Sequence, residues 1–238
     1  MKPGAALDSG WHDGWQATRT RLEDYFDRTA FDAWAALTSD APVSKIRATV
    51  RAGRDAMRAT LLDWLPADLS GKRLLDAGCG TGALAVEAAR RGAEVVAIDV
   101  SPQLISIACE RAPRDVHGRV QFLSGDMLDP RLGRFDHIVS MDVLIHYHSD
   151  QIAAAIANLA ARTGASIAFT YAPGTPLLRT ARAVGQFFPR ADRAPGIIPV
   201  GRGELHAGVG KLAGVRLGRE ARVARGFYIS QAQEVLVG

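Results

Sequence analysis

Three carboxylates and a run of glycines stand where ligand chemistry is most readily built. Asp76 lies in Leu74-Leu75-Asp76-Ala77-Gly78-Cys79-Gly80-Thr81-Gly82, an apolar strand pattern running into a glycine-rich turn. Asp99 closes the next apolar run, and Asp126 follows the third, in Ser124-Gly125-Asp126-Met127. Glycines in such a turn let the backbone approach a ligand, and the helix start behind them presents N–H groups. An acid after the second strand suits a ribose diol, and one after the third suits an exocyclic adenine amine. The chemistry implied is the binding of an adenosine-bearing cofactor.

Which cofactor is less sharply drawn. Gly78-x-Gly80-x-x-Ala83 also satisfies the looser dinucleotide fingerprint, so a nicotinamide dinucleotide stays open on the glycines alone. Asp76 favours the other choice. It precedes the first glycine by two residues, where dinucleotide folds usually have no acid, and where a carboxylate can receive the ammonium of a methionine moiety. The cofactor set read here is Asp76, Gly78, Cys79, Gly80, Gly82, Asp99, Val100, Ser101, Asp126, Met127 and Met141, for S-adenosylmethionine with S-adenosylhomocysteine as product.

The elements that must hold these residues alternate. Helical spacing of apolar residues predicts helices over 16–37 and 45–65, split by the breaker stretch 39–42. Strands are expected at 73–77, 94–98, 120–123, 135–140 and 166–171, and helices at 82–91, 102–111 and 149–162. This pattern predicts an α/β, Rossmann-like, mainly parallel sheet covered on both faces. Residues 172–201 break the alternation, with five prolines around an apolar helical stretch at 177–188, and read as an insertion after the fifth strand. Segments 216–224 and 227–237, joined at Arg225-Gly226, read as a closing antiparallel hairpin. The expected organisation is one domain over 1–238: a helical lid (1–70), a cofactor core (71–171), a substrate-side insertion (172–213) and the hairpin (214–238).

Composition sets the remaining bounds. With 238 residues, 47% hydrophobic and 23% charged, the chain has material for one sizeable core and is unlike a disordered one. No run of about 20 apolar residues exists to span a bilayer, and residues 1–14 lack the pattern of a signal peptide, so a cytoplasmic location is expected. Two cysteines, Cys79 and Cys109, are expected to stay reduced. The positive charge is concentrated late, with ten basic against four acidic residues in 171–238. That portion suits an anionic substrate, an acidic partner or a membrane face, whereas the absence of a base-binding motif argues against nucleic acid.

A family resemblance narrows the acceptor. Asp24-Tyr25-Phe26-Asp27-Arg28-Thr29-Ala30-Phe31-Asp32-Ala33-Trp34, the glycine turn, and Met141-Asp142-Val143-Leu144-Ile145-His146-Tyr147 together resemble the magnesium-protoporphyrin IX methyltransferases of (bacterio)chlorophyll synthesis. So do Ala172-Pro173-Gly174-Thr175-Pro176-Leu177-Leu178 and Gly185-Gln186-Phe187-Phe188-Pro189-Arg190-Ala191-Asp192-Arg193-Ala194-Pro195. The terminal hairpin resembles the reversed last strand of class I methyltransferases. Ala30 departs from the pattern, standing where relatives often have glycine.

The resemblance implies methyl transfer to a propionate of magnesium protoporphyrin, the magnesium belonging to the substrate and no metal to the protein. It implies Tyr25 and His146 as catalytic or positioning residues, with Tyr25 also closing over the cofactor. An apolar slot for the macrocycle is expected from Leu177, Leu178, Phe187 and Phe188, and a cation for the second propionate from Arg190 or Arg193. The implied partner is the large porphyrin-binding subunit of magnesium chelatase, with loose association with the photosynthetic membrane as a further option. Two rivals stay open on sequence: a methyltransferase for another small anionic or quinone-like acceptor, and a non-catalytic module that binds cofactor or delivers porphyrin.

Overall fold

The computed structural model describes residues 9–28, 38, 44–174 and 196–238. Among the described residues the first helices are α1 (Ser9–Arg28) and α2 (Lys45–Asp63). Then follow β1 (Arg73–Ala77), α3 (Ala83–Arg90), β2 (Glu94–Asp99), α4 (Pro102–Arg111), β3 (Val120–Ser124), β4 (Phe135–Ser140), α5 (Ser149–Ala160) and β5 (Thr163–Tyr171). After 174 the described chain resumes with α6 (Arg202–Val209), β6 (Val215–Arg225) and β7 (Tyr228–Val237).

The seven strands form one sheet in the order β3-β2-β1-β4-β5-β7-β6. Strands β1 to β5 pair in parallel, while β7 runs antiparallel between β5 and β6. Successive side chains of a strand point to opposite faces, and the core obeys that period. Leu75, Ala77, Val96, Ile98, Ile138, Ile167 and Phe169 pack on one side with Trp15, Leu22, Ile152, Ile156 and Leu205, from α1, α5 and α6. Leu74, Val95, Ala97, Val139 and Ala168 pack on the other with Met57, Leu61, Leu84 and Ala88, from α2 and α3. From β1 the strands run outward to β3, after which the chain returns to place β4 against β1. The crevice at the C-terminal ends of β1 and β4 is therefore the switch point where open α/β sheets take ligands.

The expected strands and most helices stand within a few residues of their predicted bounds, with two differences. The first helix starts at Ser9 and not at 16, because the partly buried Trp11 and the buried Trp15 extend the apolar stripe toward the N-terminus; it is described as far as Arg28. Residues 29–37 lie outside the described residues. Helix α6 was not expected, since Gly203 and Gly208 weaken its helical propensity. Tertiary packing sustains it: Leu205 and Val209 are fully buried, and a Cβ at Gly208 would stand 3.3 Å from Ala153 Cβ. The helix expected at 177–188 lies outside the described residues.

Candidate active site

The turn after β1 is shaped by close approach. Gly78 has φ +82°, and a Cβ there would stand 2.0 Å from Val143 Cγ2 in the loop after β4. The N–H groups of Gly78 and Cys79 both donate to Ile98 O, at 2.8 and 3.0 Å, which ties the turn to the end of β2. Gly80 N–H donates to Asp99 Oδ2 at 2.8 Å and Ser101 N–H to Asp99 Oδ1 at 3.0 Å, so Asp99 is held at the strand end by backbone alone. Burial pushes its carboxyl above the ordinary carboxylate range.

Two clefts meet at this turn. The first, about 700 Å³, is lined by Gly78, Gly80, Asp99, Val100, Asp126, Met127, Met141, Asp142 and His146 among others. Its outer wall is one face of α1, carrying Trp15, Arg19, Leu22 and Phe26 at helical spacing. The second, about 860 Å³, takes Asp76, Cys79, Thr81 and Leu84 from the sheet side and Arg51, Arg54, Asp55 and Arg58 from α2. Gly78, Met141 and Arg54 line both.

Helix α1 is docked on the first cleft by side chains that reach the site itself. Trp15 Nε1 and Gln16 Nε2 each donate to Asp126 Oδ2 at 3.3 Å, and Ser101 Oγ–H donates to Asp27 Oδ1. The Trp15 ring stacks on Tyr147 with centroids 4.2 Å apart. Asp126 Oδ1 accepts from Leu128 N–H at 2.9 Å. Behind it, the buried Arg162 donates through Nη1 to Asp129 O at 2.7 Å and through Nη2 to Met127 O, clamping the loop that presents Asp126.

Asp76 is the most unusual acid of the three. It is 2% exposed, and its Oδ2 has no hydrogen-bond partner among the described residues. Burial raises its pKa to about 7, against a backbone hydrogen bond from Ala85 that lowers it. An ammonium group entering the second cleft would supply the missing partner and favour the charged carboxylate. Burial, with Asp76 and Asp99 nearby, pushes the Cys79 thiol up, so it is no thiolate nucleophile.

At the end of β4 the backbone turns sharply. Asp142 has φ +60°, a left-handed conformation that non-glycine residues rarely adopt. Its N–H donates to Thr170 Oγ1 at 2.7 Å, Oδ1 accepts from Tyr228 O–H at 2.8 Å, and Oδ2 faces Arg54 Nε at 3.5 Å. Beyond it a single 3-10 turn, Leu144–His146, brings His146 onto the wall of the first cleft.

The fold thus brings Asp76, Gly78, Cys79, Gly80, Asp99, Val100, Asp126, Met127, Met141 and His146 to the two joined clefts. Ser101 instead caps α4, accepting from Leu104 N–H at 3.2 Å, and Gly82 packs beneath the turn, where a Cβ would stand 2.8 Å from Phe122 Cε1. Tyr25 is half-buried on α1, its ring edge-on to Phe26 at 5.3 Å; Phe26 and not Tyr25 lines the first cleft. Leu177, Leu178, Phe187, Phe188, Arg190 and Arg193 lie outside the described residues. Sequence reasoning missed Trp15, Arg19, Arg54 and Tyr228 as site residues. The tryptophan's place on an apolar helical stripe was the one available signal.

An open sheet with a reversed seventh strand, a glycine turn at its switch point and acids at or just beyond the C-terminal ends of three successive strands define a class I S-adenosylmethionine-dependent methyltransferase. Comparison with known proteins agrees at two levels. Residues 74–164 match a general methyltransferase-domain family, and residues 140–236 match the family described as magnesium-protoporphyrin IX methyltransferase C-terminus. A magnesium-protoporphyrin O-methyltransferase of Rhodobacter capsulatus is 52% identical over 217 residues, covering 91% of this chain and 95% of the relative. The crystal structure of magnesium protoporphyrin IX methyltransferase from Synechocystis PCC 6803 with bound SAH superposes with a TM-score of 0.81 at 27% identity, over 92% of this chain and 100% of that one. The same Synechocystis protein with bound SAM gives 0.74 at 24% identity, over 99% of this chain and 100% of that one. The chain belongs to the magnesium-protoporphyrin O-methyltransferase family.

Proposed function

We propose that this chain esterifies one propionate of magnesium protoporphyrin IX with the methyl group of S-adenosylmethionine, giving the monomethyl ester and S-adenosylhomocysteine in (bacterio)chlorophyll synthesis. The observation that carries the reading is the 52% identity to the Rhodobacter enzyme over nearly the whole chain, joined to a cleft at the Gly78 turn whose wall includes His146. When bound, the cofactor supplies an electrophilic sulfonium methyl, which a carboxylate oxygen takes as the C–S bond breaks.

The protein's part is placement. A propionate is ionised near pH 7, since ordinary carboxyl groups titrate near about 4, so no strong base has to act. What remains is to strip water from the nucleophile and align it, which is catalysis by proximity and orientation. His146 is assigned to holding the reacting propionate by a hydrogen bond. The substrate's magnesium prefers oxygen ligands, which argues against the imidazole as its ligand. Arg19, on the same cleft with an Nε that has no hydrogen-bond partner among the described residues, favours an anionic acceptor over a neutral one. Tyr25 is assigned to the sulfonium region, its ring face and hydroxyl brought over the cofactor by a shift of α1. Asp76 receives the ammonium, Asp99 the ribose and Asp126 the adenine amine, the last after exchanging its contacts with Trp15 and Gln16.

For the macrocycle, Leu177, Leu178, Phe187 and Phe188 are assigned to the apolar slot and Arg190 and Arg193 to the second propionate, on the family resemblance. The same resemblance supports the large subunit of magnesium chelatase as the partner that hands over the poorly soluble porphyrin. Residues 171–238, with their basic excess, are the proposed face for that contact or for peripheral contact with the photosynthetic membrane. No helix among the described residues is long and apolar enough to cross a membrane.

The test is an acceptor comparison. Purified chain with S-adenosylmethionine is offered magnesium protoporphyrin IX, metal-free protoporphyrin and a catechol-type quinone precursor, with methylated products separated by chromatography. Monomethyl ester from the magnesium porphyrin, with little product from the others, supports the reading. Preferential methylation of the quinone precursor moves the assignment to the rival acceptor, and cofactor binding without any turnover moves it to a delivery module.

A further inference from the structure

Among the described residues, three large apolar side chains stand exposed: Ile46 at 56%, Ile197 at 45% and Phe227 at 74%. Scattered singly over a surface such residues need no explanation, but these three share one edge of the molecule. Phe227 sits in the turn between β6 and β7. Because β7 runs antiparallel to β5, with Gln231 opposite Tyr171, that turn projects past the C-terminal end of β5. Helix α2 runs along the hairpin from its tip, where a Cβ at Gly226 would stand 2.5 Å from Thr49 Oγ1, to Trp64, whose carbonyl accepts from Arg219 Nη2 at 2.6 Å. Ile46 is therefore at the tip as well, and its carbonyl accepts from Thr49 O–H at 2.7 Å. Ile197 stands beside the ends of β4 and β5, where Ile198 N–H donates to Ile145 O and Val200 N–H to Ala172 O, both at 2.8 Å. None of the three lines either cleft, yet the edge they share is the one that carries both.

The tip is also basic. Residues 44–54 carry Lys45, Arg47, Arg51 and Arg54 and no acid, and residues 221–231 carry Arg222 and Arg225 and no acid. Lys45, Arg47, Arg222 and Arg225 are exposed, and none forms an ion pair among the described residues. A second copy of this chain seated here would set these cations against their own kind, which opposes self-docking. An apolar tip flanked by uncompensated cations matches instead the interface of an anionic bilayer, where phosphates meet the cations and the acyl boundary takes the apolar groups.

We propose that the β6–β7 turn and the first turn of α2 seat this chain on an anionic lipid surface. Phe227 and Ile46 enter the headgroup layer, and Lys45, Arg47, Arg222 and Arg225 pair with lipid phosphates. The proposal deepens the peripheral membrane contact read above from basic excess alone, and it rests on the porphyrin reading only for what the contact serves. With the cleft-bearing edge turned to the bilayer, an apolar macrocycle passes between lipid and site without crossing bulk water.

The test is sedimentation of the purified chain with vesicles of phosphatidylcholine, with and without about 30% phosphatidylglycerol, in the absence of acceptor. Partitioning onto the anionic vesicles is expected to exceed that onto pure phosphatidylcholine by about 10-fold or more, and to fall as salt rises from about 0.05 to 0.5 M. Ile46→Ser combined with Phe227→Ser should weaken it about 10-fold, with S-adenosylhomocysteine affinity unchanged. Lys45→Gln combined with Arg225→Gln should weaken it by about the same factor and blunt the salt dependence. Binding that is absent, indifferent to lipid charge, or retained in full by the Ile46 and Phe227 variant overturns the proposal. Absence of vesicle binding with retention on immobilised polyglutamate moves the patch to an acidic protein, and self-association lost in the same variant moves it to a second copy; either overturns the lipid assignment. Because vesicle binding is read without acceptor or turnover, its failure leaves the methyltransferase reading in place, and failure to form ester leaves the lipid contact in place.

Discussion

Gly78→Ala tests whether the cofactor turn and the loop bearing His146 are one packed unit. The new methyl group meets two costs. At φ +82° an L-residue other than glycine costs about 1–2 kcal/mol. The added Cβ also falls 2.0 Å from Val143 Cγ2, 3.3 Å from Val143 Cβ and 3.5 Å from Val143 Cγ1, so the collision is with one side chain. Overpacking of this kind costs about 1–3 kcal/mol. The sum, about 2–5 kcal/mol, corresponds to a fall in melting temperature of about 4–20 °C for a chain of this size. Val143→Ala removes Cγ1 and Cγ2, so Gly78→Ala in that background should recover about 1–2 kcal/mol and retain the φ penalty. Urea unfolding of the four members of the cycle gives the coupling, and S-adenosylhomocysteine titration of the same proteins gives its effect on the site. A coupling energy within about 0.3–0.5 kcal/mol of zero, the additivity expected of independent sites, would refute the direct contact.

Further outcomes follow from the site. Asp76 has its pKa raised from 3.8 to about 7 by burial, so the folded chain holds a proton that the unfolded chain has released at intermediate pH. Its contribution to stability is therefore fully present below the unfolded value and is lost as pH rises through about 7; Asp76→Asn should flatten that part of the urea stability profile. The same titration makes S-adenosylhomocysteine affinity rise roughly fivefold from pH 6 to 7, with 5′-methylthioadenosine, a related nucleoside thioether without the amino-acid tail, unaffected; a flat profile for both would contradict the ammonium role. Arg162→Met releases the carbonyls of Met127 and Asp129 and should destabilise by about 2–4 kcal/mol, weakening both nucleoside ligands alike; a loss confined to S-adenosylhomocysteine would be wrong for a residue behind the adenine loop. His146→Ala should lower kcat by about 10²-fold or more with S-adenosylhomocysteine affinity unchanged within about twofold, whereas Tyr25→Phe should lower it less; unchanged kcat in either removes that residue from the reacting region.

Much of this was legible along the chain. The strand and helix alternation, the glycine turn, and Asp76, Asp99 and Asp126 as acids at the sheet's C-terminal edge are local patterns, and local patterns survive folding. The family resemblance, carried by the segments around Tyr25 and His146 and by the 172–195 stretch, pointed to the family that the Rhodobacter relative shows. What escaped was convergence. Arg54, Asp142 and Tyr228 come from three distant segments, and each reads singly as a surface cation, a turn residue and a strand aromatic. Their meeting depends on β7 inserting between β5 and β6 and on α2 crossing it at Gly53. Helix α6 escaped because its glycines oppose it locally and only burial of Leu205 and Val209 sustains it. Trp15 escaped because the stripe it belongs to begins before the first strong helical repeat.

The most direct test of the account is a single-turnover experiment with S-adenosylmethionine carrying a carbon-13 methyl group, excess purified chain and magnesium protoporphyrin IX. The account predicts one labelled methyl ester per porphyrin on a propionate, formed with one equivalent of S-adenosylhomocysteine. Label appearing on any atom other than a propionate oxygen, or S-adenosylhomocysteine formed without labelled porphyrin, would contradict it.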